Sequence, residues 1–570
     1  MSSRLLPLLF LVSTFAVIPQ AHAERHSAIR ANRIGMAQLQ TPSQAAAAGA
    51  LSNQLRFRRK PELKKPVFPQ VSAARSVDSS SLVVPGMPIV GSGAGFLGFD
   101  GLDTRDSALQ TGFVNEPSDQ ALGVNSKHVF EGVNDALAVY SQRGTIVAGP
   151  TSFEAFFNVP PPTSTQELDV TDPRIFFDWA TNRWFVSILE FPFNPQTGKF
   201  LPGSSVLLGV SDSSDATGSF TLYSIDVSDN SFSGCPCIGD QPLIGTNQDG
   251  FYISTNEFSS DTQRFRTALV IALDKRDLVN GSASVTGVSF DGLRQAEGPA
   301  FSVQPALPAP GALTSANNGT EFFASSLDFT GTIDNRLTVW SLTNTRTLHD
   351  AAPNVSLRKR TFTVQAYGQP APAIQKHGPT PLGDSVGEPE ELLDTGDDRL
   401  QQLFFSGGRL FTALTTVVLG TGGAPPRVGV AWFAFRPSTT ATTVSASIVG
   451  QGYIAAKRQF VFYPSMAVSG SGRGVIGFGL SGPDFFPSTA YVDLDGTSAG
   501  SSIHIGGPGV APEDGFSGYK AFGGNGVARW GDYTAAAISP GGHVWFASDY
   551  ITPRERTKFT NWGTFIARTR

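Results

Sequence analysis

Two cysteines in 570 residues, Cys235 and Cys237, exclude a disulfide scaffold, so burial must hold the fold together. They flank Pro236 with no histidine close by, which is too few ligands for a zinc site. Either a local Cys235–Cys237 bridge or two packed thiols satisfies this spacing. Histidine is equally sparse. The five beyond residue 100, His128, His349, His377, His504 and His543, are scattered, and neither His-Glu-x-x-His nor a phosphate-binding loop occurs. Long apolar runs are missing too. The one candidate, Leu5 to Ile18, is broken by Pro7, Ser13 and Thr14 and falls short of the ~20 residues that span a bilayer. With Arg4 ahead of it and Ala21-His22-Ala23 behind, it reads as a cleavable secretory signal over residues 1–23. The mature chain is therefore expected outside the cytoplasm, secreted, periplasmic or at the cell surface, with no transmembrane segment.

What is abundant points to β-structure. Sixty-one Gly, 39 Pro and 43 Phe, with only 16% charged residues, favour short strands, tight turns and an aromatic core. Charge divides the chain unevenly: Glu24 to Arg75 holds ten Lys and Arg against two acids, and the remainder is acidic. Residues 24–75 read as a disordered basic linker or propeptide, and residues 76–570 as a single domain. An acidic body argues against nucleic acid as a partner.

One pattern recurs seven times: an apolar strand, a turn of Gly, Asn, Asp or Ser, then a strand rich in Phe, Trp, Val or Ile. It is clearest at Ile175 to Ser187, Pro242 to Ser254, Leu403 to Thr412 and Ala535 to Phe546. Such turns tolerate the positive φ of tight hairpins. A third strand-like run follows each hairpin, for example Val206 to Val210 and Val428 to Trp432. The spacing of about 69 residues suits a four-stranded blade with its connections. The expected fold is all-β: a seven-bladed β-propeller of four-stranded blades, with six blades as the alternative. The chain ends after the third strand of the last repeat, so the missing strand is expected from the N-terminal side, from Ser81 to Val84 or Pro88 to Val90.

Several stretches resemble secreted sialidase-like β-propeller proteins of the BNR/Asp-box superfamily, a group of largely unassigned activity. These are Glu116 to Asn134, Asp172 to Ser187, Gly239 to Ser254, Leu393 to Arg399, Phe462 to Ser465 and Arg529 to Tyr533. Ser213 to Phe220 looks like a degenerate Asp-box turn, one residue longer and with Phe in place of Trp. Active sialidases of this resemblance add an arginine triad, for which Arg174, Arg399 and Arg529 are the trio available. The Arg-Ile/Leu-Pro signature that opens those enzymes is missing.

No complete catalytic motif is present. Gly496-Thr-Ser498-Ala-Gly500 lacks the strand before and the helix after that a nucleophile elbow needs. Polar residues do recur just before the first strand of the repeat: Asp119, Asp172 with Arg174, Asp240, Asp398 with Arg399, and Arg529 with Asp532. Around a ring these converge on one mouth of the central channel and form the candidate ligand site. The competing role for each is to pin one blade to the next. No metal site is assigned and no cofactor expected, with calcium the one cation for which Asp212 to Asp215 supply oxygen ligands. The expected function is binding of a polysaccharide, peptide or extracellular protein by a monomer; the alternative is a carbohydrate-active hydrolase or lyase using the channel carboxylates.

Overall fold

The structure, a computed structural model, describes residues 25–49, 56–57, 77–228, 234–296, 298–327 and 333–569. The signal segment 1–23 and part of the basic stretch, residues 24, 50–55 and 58–75, lie outside the described residues. The chain is all-β. Antiparallel four-stranded meanders follow one another: A (121–152), B (167–226), C (237–291), D (304–368), E (402–454), F (460–507) and G (535–569, with 97–103). Every repeated hairpin of the sequence is the first strand pair of one meander, and every third run is its third strand. At the hairpin of E, Gly407 and Gly408 take φ of 56° and 71°, which lets two right-twisted strands pair across a two-residue turn.

The first strands are neighbours in the order A to G, and that of G lies against that of A, closing a ring. Gly245 shows how tightly they meet. A Cβ there would lie 2.5 Å from Pro305 Cβ and 2.7 Å from the Ala306 carbonyl, in the first strand of D. The meanders bury aromatic residues between their faces: Trp184, Trp340 and Trp545 are inaccessible to solvent. The Trp184 indole N–H donates to the Ser214 carbonyl at 3.0 Å, within the turn that resembles an Asp box. Cys235 and Cys237 are joined in a disulfide, their Cα atoms 4.5 Å apart. Among the described residues, no helix is long and apolar enough to cross a membrane.

Two expectations need correction. The strand that completes G is Leu97–Asp103, antiparallel to Trp562–Thr569, whereas the residues named for that role serve meanders E and F. Val83 bridges Leu419, and Ile89–Val90 pairs with Ile503–Gly507. Leu97–Asp103 is selected by its aromatic contact, since Phe99 meets Trp545 and Tyr140, and by Asp103, which caps the helix Thr104–Thr111 and ends the strand. The expectation of disorder over residues 24–75 also fails in part. Arg25–Ala37 is a 13-residue strand lying antiparallel between the outer edges of B and C, paired with Phe220–Asp226 on one side and Ser284–Asp291 on the other. Two uncovered sheet edges offer more backbone hydrogen bonds than solvated charge costs, and Arg30 and Arg33 keep their side chains exposed.

Candidate functional site

At the ring's inner edge the backbone repeats one unusual conformation. Asp119, Asp172, Gln241, Ser302 and Tyr463 have φ between 47° and 60°, and Gly531 has φ of 112°. In B, C and F the residue sits where strand register slips, between Thr171 and Arg174, Asp240 and Leu243, and Phe462 and Ser465. Left-handed φ on a residue with a Cβ costs about 1 kcal/mol or more, so surrounding contacts must impose it. They come from the preceding meander. Asn134 Oδ1 accepts from Asp172 N at 2.8 Å, Asn256 Oδ1 from Ser302 N at 2.7 Å, and Thr415 Oγ1 from Tyr463 N at 3.0 Å. Asp119 Oδ1 accepts from Asp532 N at 2.5 Å, which joins A to G.

The kinks at Asp119, Asp172 and Gln241 line a cavity of about 550 Å³ at one mouth of the ring. Asp119, Asp172, Asp240, Arg399, Arg529 and Asp532 line it. Arg174 does not. Its guanidinium lies 3.4 Å from the centre of the Tyr533 ring and donates through Nε to the Pro242 carbonyl, beside a narrower passage farther along the ring. Asp398 is fully buried behind the wall, where it accepts from Gln369 Nε2 at 2.8 Å. The two arginines at the cavity are already neutralised: Arg399 forks onto Asp397 at 2.7 and 2.6 Å, and Arg529 meets Asp532 at 3.0 Å. The trio Arg174, Arg399 and Arg529 therefore does not converge on one point.

Further lining comes from residues that repeat logic does not mark. Glu116 and Asp394 bring the cavity carboxyls to six against two guanidiniums, and Phe191, Phe200, Phe258 and Phe516 supply apolar wall. Glu116 and Asp394 lie in the runs Glu116 to Asp119 and Leu393 to Arg399, close enough to be suspected; nothing local marks Phe516. It belongs to a long connection between F and G, which meets the connection between D and E through the parallel pairs Leu392 with Val527 and Leu393 with Ala528. Gln375 fastens the two, donating to the Glu391 and Glu513 carbonyls at 3.1 Å and accepting from Glu513 N at 2.8 Å.

Electrostatics follow from this crowding. Burial, then the charges of Asp532 and Asp172, push the Asp119 carboxyl up to about 8. Burial raises Asp240 to about 6, against the pull of Arg399, and Glu116 to about 7. Behind the wall, burial carries Glu391 to about 9, and the neighbouring Glu513 carboxyl is pushed well up too, by burial first and then by the charge of Glu391. The folded protein thus holds protons on Glu391 and Glu513 that the unfolded chain releases above the ordinary glutamate range. Because the folded state binds more protons, its stability falls as pH rises from about 5 to about 9. Melting temperature measured across that range should decline, and Glu391→Gln should flatten the decline; an unchanged slope would show that this pair does not set it.

No protein-family model and no curated protein matches the chain. Among solved structures it is similar to a Trypanosoma rangeli sialidase in complex with sialic acid, at 10% identity over 76% of this chain and 57% of that one, with a TM-score of 0.32. It is also similar to the phage phi92 endosialidase, at 9% identity over 79% and 66%, TM-score 0.29. A PL25 ulvan lyase, a polysaccharide lyase, matches at 10% identity over 78% of this chain and 90% of that one, TM-score 0.28. The chain spans less than two thirds of the length of that first sialidase. At these scores the likenesses assign neither activity nor ligand.

Proposed function

We propose that this protein is an exported seven-bladed β-propeller that binds a neutral, hydroxyl-rich glycan at the mouth of its ring. The observation that carries the reading is the make-up of the cavity, where six carboxyls and four phenylalanines share one wall with two arginines that are each already paired. Carboxylates accept hydrogen bonds from sugar hydroxyls, and phenyl faces cover the apolar C–H side of a pyranose. An acidic glycan would bring its own charge to a wall with no uncommitted arginine, which disfavours it.

The test is a glycan array with matched neutral and uronic or sialic polymers. Retention of neutral chains, lost in Asp172→Asn with unchanged melting, supports the site; retention of acidic chains alone refutes it. Arg399→Gln should instead lower melting, because the buried Asp397 carboxylate would lose the guanidinium that forks onto it.

A second reading, hydrolysis of the bound glycan, is favoured by one observation: Asp119 keeps its proton up to about pH 8 beside the carboxylates Asp172 and Asp532. A protonated acid next to a carboxylate is what glycoside hydrolysis needs. Release of reducing ends from a retained polymer, abolished in Asp119→Asn while retention persists, would establish it. Retention without release leaves the binding reading.

A further inference from the structure

In the connection between F and G, the stretch Gly515-Phe516-Ser517-Gly518 threads between three carboxyls that come from distant parts of the chain. A Cβ on Gly515 would overlap the Glu116 carboxyl and lie 2.5 Å from Glu513 Oε1, and a Cβ on Gly518 would overlap the Glu391 carboxyl. Two backbone donors reach them: Ser517 N gives to Glu116 Oε2 at 2.9 Å, and Gly515 N to Glu513 Oε1 at 2.6 Å. The remaining oxygens, Glu116 Oε1, Glu513 Oε2 and both of Glu391, are buried with no donor. Glu391 is 3% exposed and Glu513 2%. Ionised, these groups would stand side by side in a dry place with bare oxygens, which is costly.

The surrounding charge gives no relief. Among the described residues no lysine or arginine pairs with any of the three. Arg556, from the loop before the last strand of G, is held by Asp514. Asp514 in turn accepts from the Tyr519 hydroxyl at 2.7 Å and from the N–H groups of Leu382 and Gly383. Glu388, on the connection between D and E, accepts from Lys520 N and Ala521 N. Protons on the buried glutamates settle the conflict, since a carboxylic acid can donate to a neighbour's bare oxygen. Burial holds them there, raising Glu116 to about 7 and Glu391 to about 9, with Glu513 pushed well up. The cluster also sits where movement would matter: Glu116, Phe516, Ser517 and Val527 line the cavity.

We propose that Glu116, Glu391 and Glu513 form a proton-operated latch that holds the connection between F and G against the cavity rim, and that loss of their protons frees residues 513–528 while the meanders stay folded. The inference concerns the wall and no ligand, so it stands or falls apart from the glycan reading. Its sign follows from linkage. Once freed, the carboxyls return to the ordinary glutamate range, so the shut wall binds more protons than the open one. Opening therefore becomes easier as pH rises, through Glu116 from about 5 to about 7 and through Glu391 up to about 9, and levels off beyond. Each proton held only in the shut state changes the opening equilibrium about tenfold per pH unit within its window.

The test is amide hydrogen exchange of the full chain, free of ligand, from about pH 5 to about pH 9, with rates corrected for the pH dependence of intrinsic exchange. Protection over residues 513–528 should fall at least about tenfold across that range, while a core strand such as Arg473–Gly482 keeps its protection. Glu116→Gln and Glu513→Gln each keep an acceptor without the charge. Glu116→Gln should remove most of the fall below about pH 7, and Glu513→Gln should reduce the fall over the whole range. The pH profile of the unaltered chain carries the test should either variant fail to fold. Corrected protection that does not change with pH would overturn the proposal. So would a loss spread evenly over all the meanders, or a local loss that neither variant alters.

Discussion

Replacing Lys275 by Met is expected to destabilise the protein by about 3 to 5 kcal/mol, the cost of leaving a buried charge without its partner. Lys275 Nζ lies 2.9 Å from Asp178 Oδ2, and both side chains are 2% exposed. Asp178 closes the first strand of B, and Lys275 opens the short helix Lys275–Val279 of C, so the pair fastens two neighbouring meanders where their hairpin turns meet. Lys275 also donates to the Asn247 carbonyl. Without the ammonium, Asp178 keeps, among the described residues, the Thr181 hydroxyl and the Ala180 N–H as donors. Chemical denaturation of Lys275→Met, Asp178→Asn and the double variant would measure the coupling. The double variant should recover a large part of the loss, since it buries no net charge. Additive losses would mean that the two residues act separately.

Removing residues 24–40 is expected to have the second large effect. Arg25–Ala37 pairs along both sides, with register from Arg25 opposite Asp291 to Ala31 opposite Val285, and from Ala31 opposite Ile225 to Ala37 opposite Phe220. Its loss would leave two adjacent edges open, those of Phe220–Asp226 and Ser284–Asp291, and open edges recruit other chains. Melting should fall by about 5 °C or more, and the truncated protein should associate as its concentration rises. Light scattering and a melting curve at two concentrations decide it. A truncated chain that stays monomeric and melts with the intact one would show that the strand merely rests on the surface.

Both effects bear on the cavity, because its walls come from elements distant in sequence. Asp119 and Asp532 are joined by a hydrogen bond across 413 positions, and Tyr533 donates to the Pro173 carbonyl at 3.0 Å across 360. Loosening one meander from the next would therefore shift the cavity carboxylates relative to one another.

The hairpins were legible because their causes are local. Phe251 to Ser254 and Trp184 to Ser187 are β-formers set beside turn residues, and pairing to the immediate neighbour needs no distant information. That Asp119, Asp172, Asp240 and Asp532 share one rim was legible as well, because a repeat places equivalent positions at one end of the ring, although Asp172 and Asp240 lie within the first strands Glu167–Asp178 and Cys237–Thr246 and not ahead of them. Other features were hidden. Arg174 and Asp172 are two residues apart, yet the register slip between Thr171 and Arg174 turns one toward Tyr533 and leaves the other at the cavity. No propensity of Arg25–Ala37 announced a strand, since its pairing partners are edges that exist only once B and C have formed.

The amino-acid sequence by itself determined an all-β chain and the order of its hairpins, because alternation, turn chemistry and repetition act over a few residues. Only the tertiary structure decided that Leu97–Asp103 completes G, that Arg25–Ala37 covers two edges, and that Arg399 and Arg529 are spent on Asp397 and Asp532. Those outcomes depend on which groups closure of the ring brings within hydrogen-bond range, and closure joins residues hundreds of positions apart whose local preferences carry no record of one another.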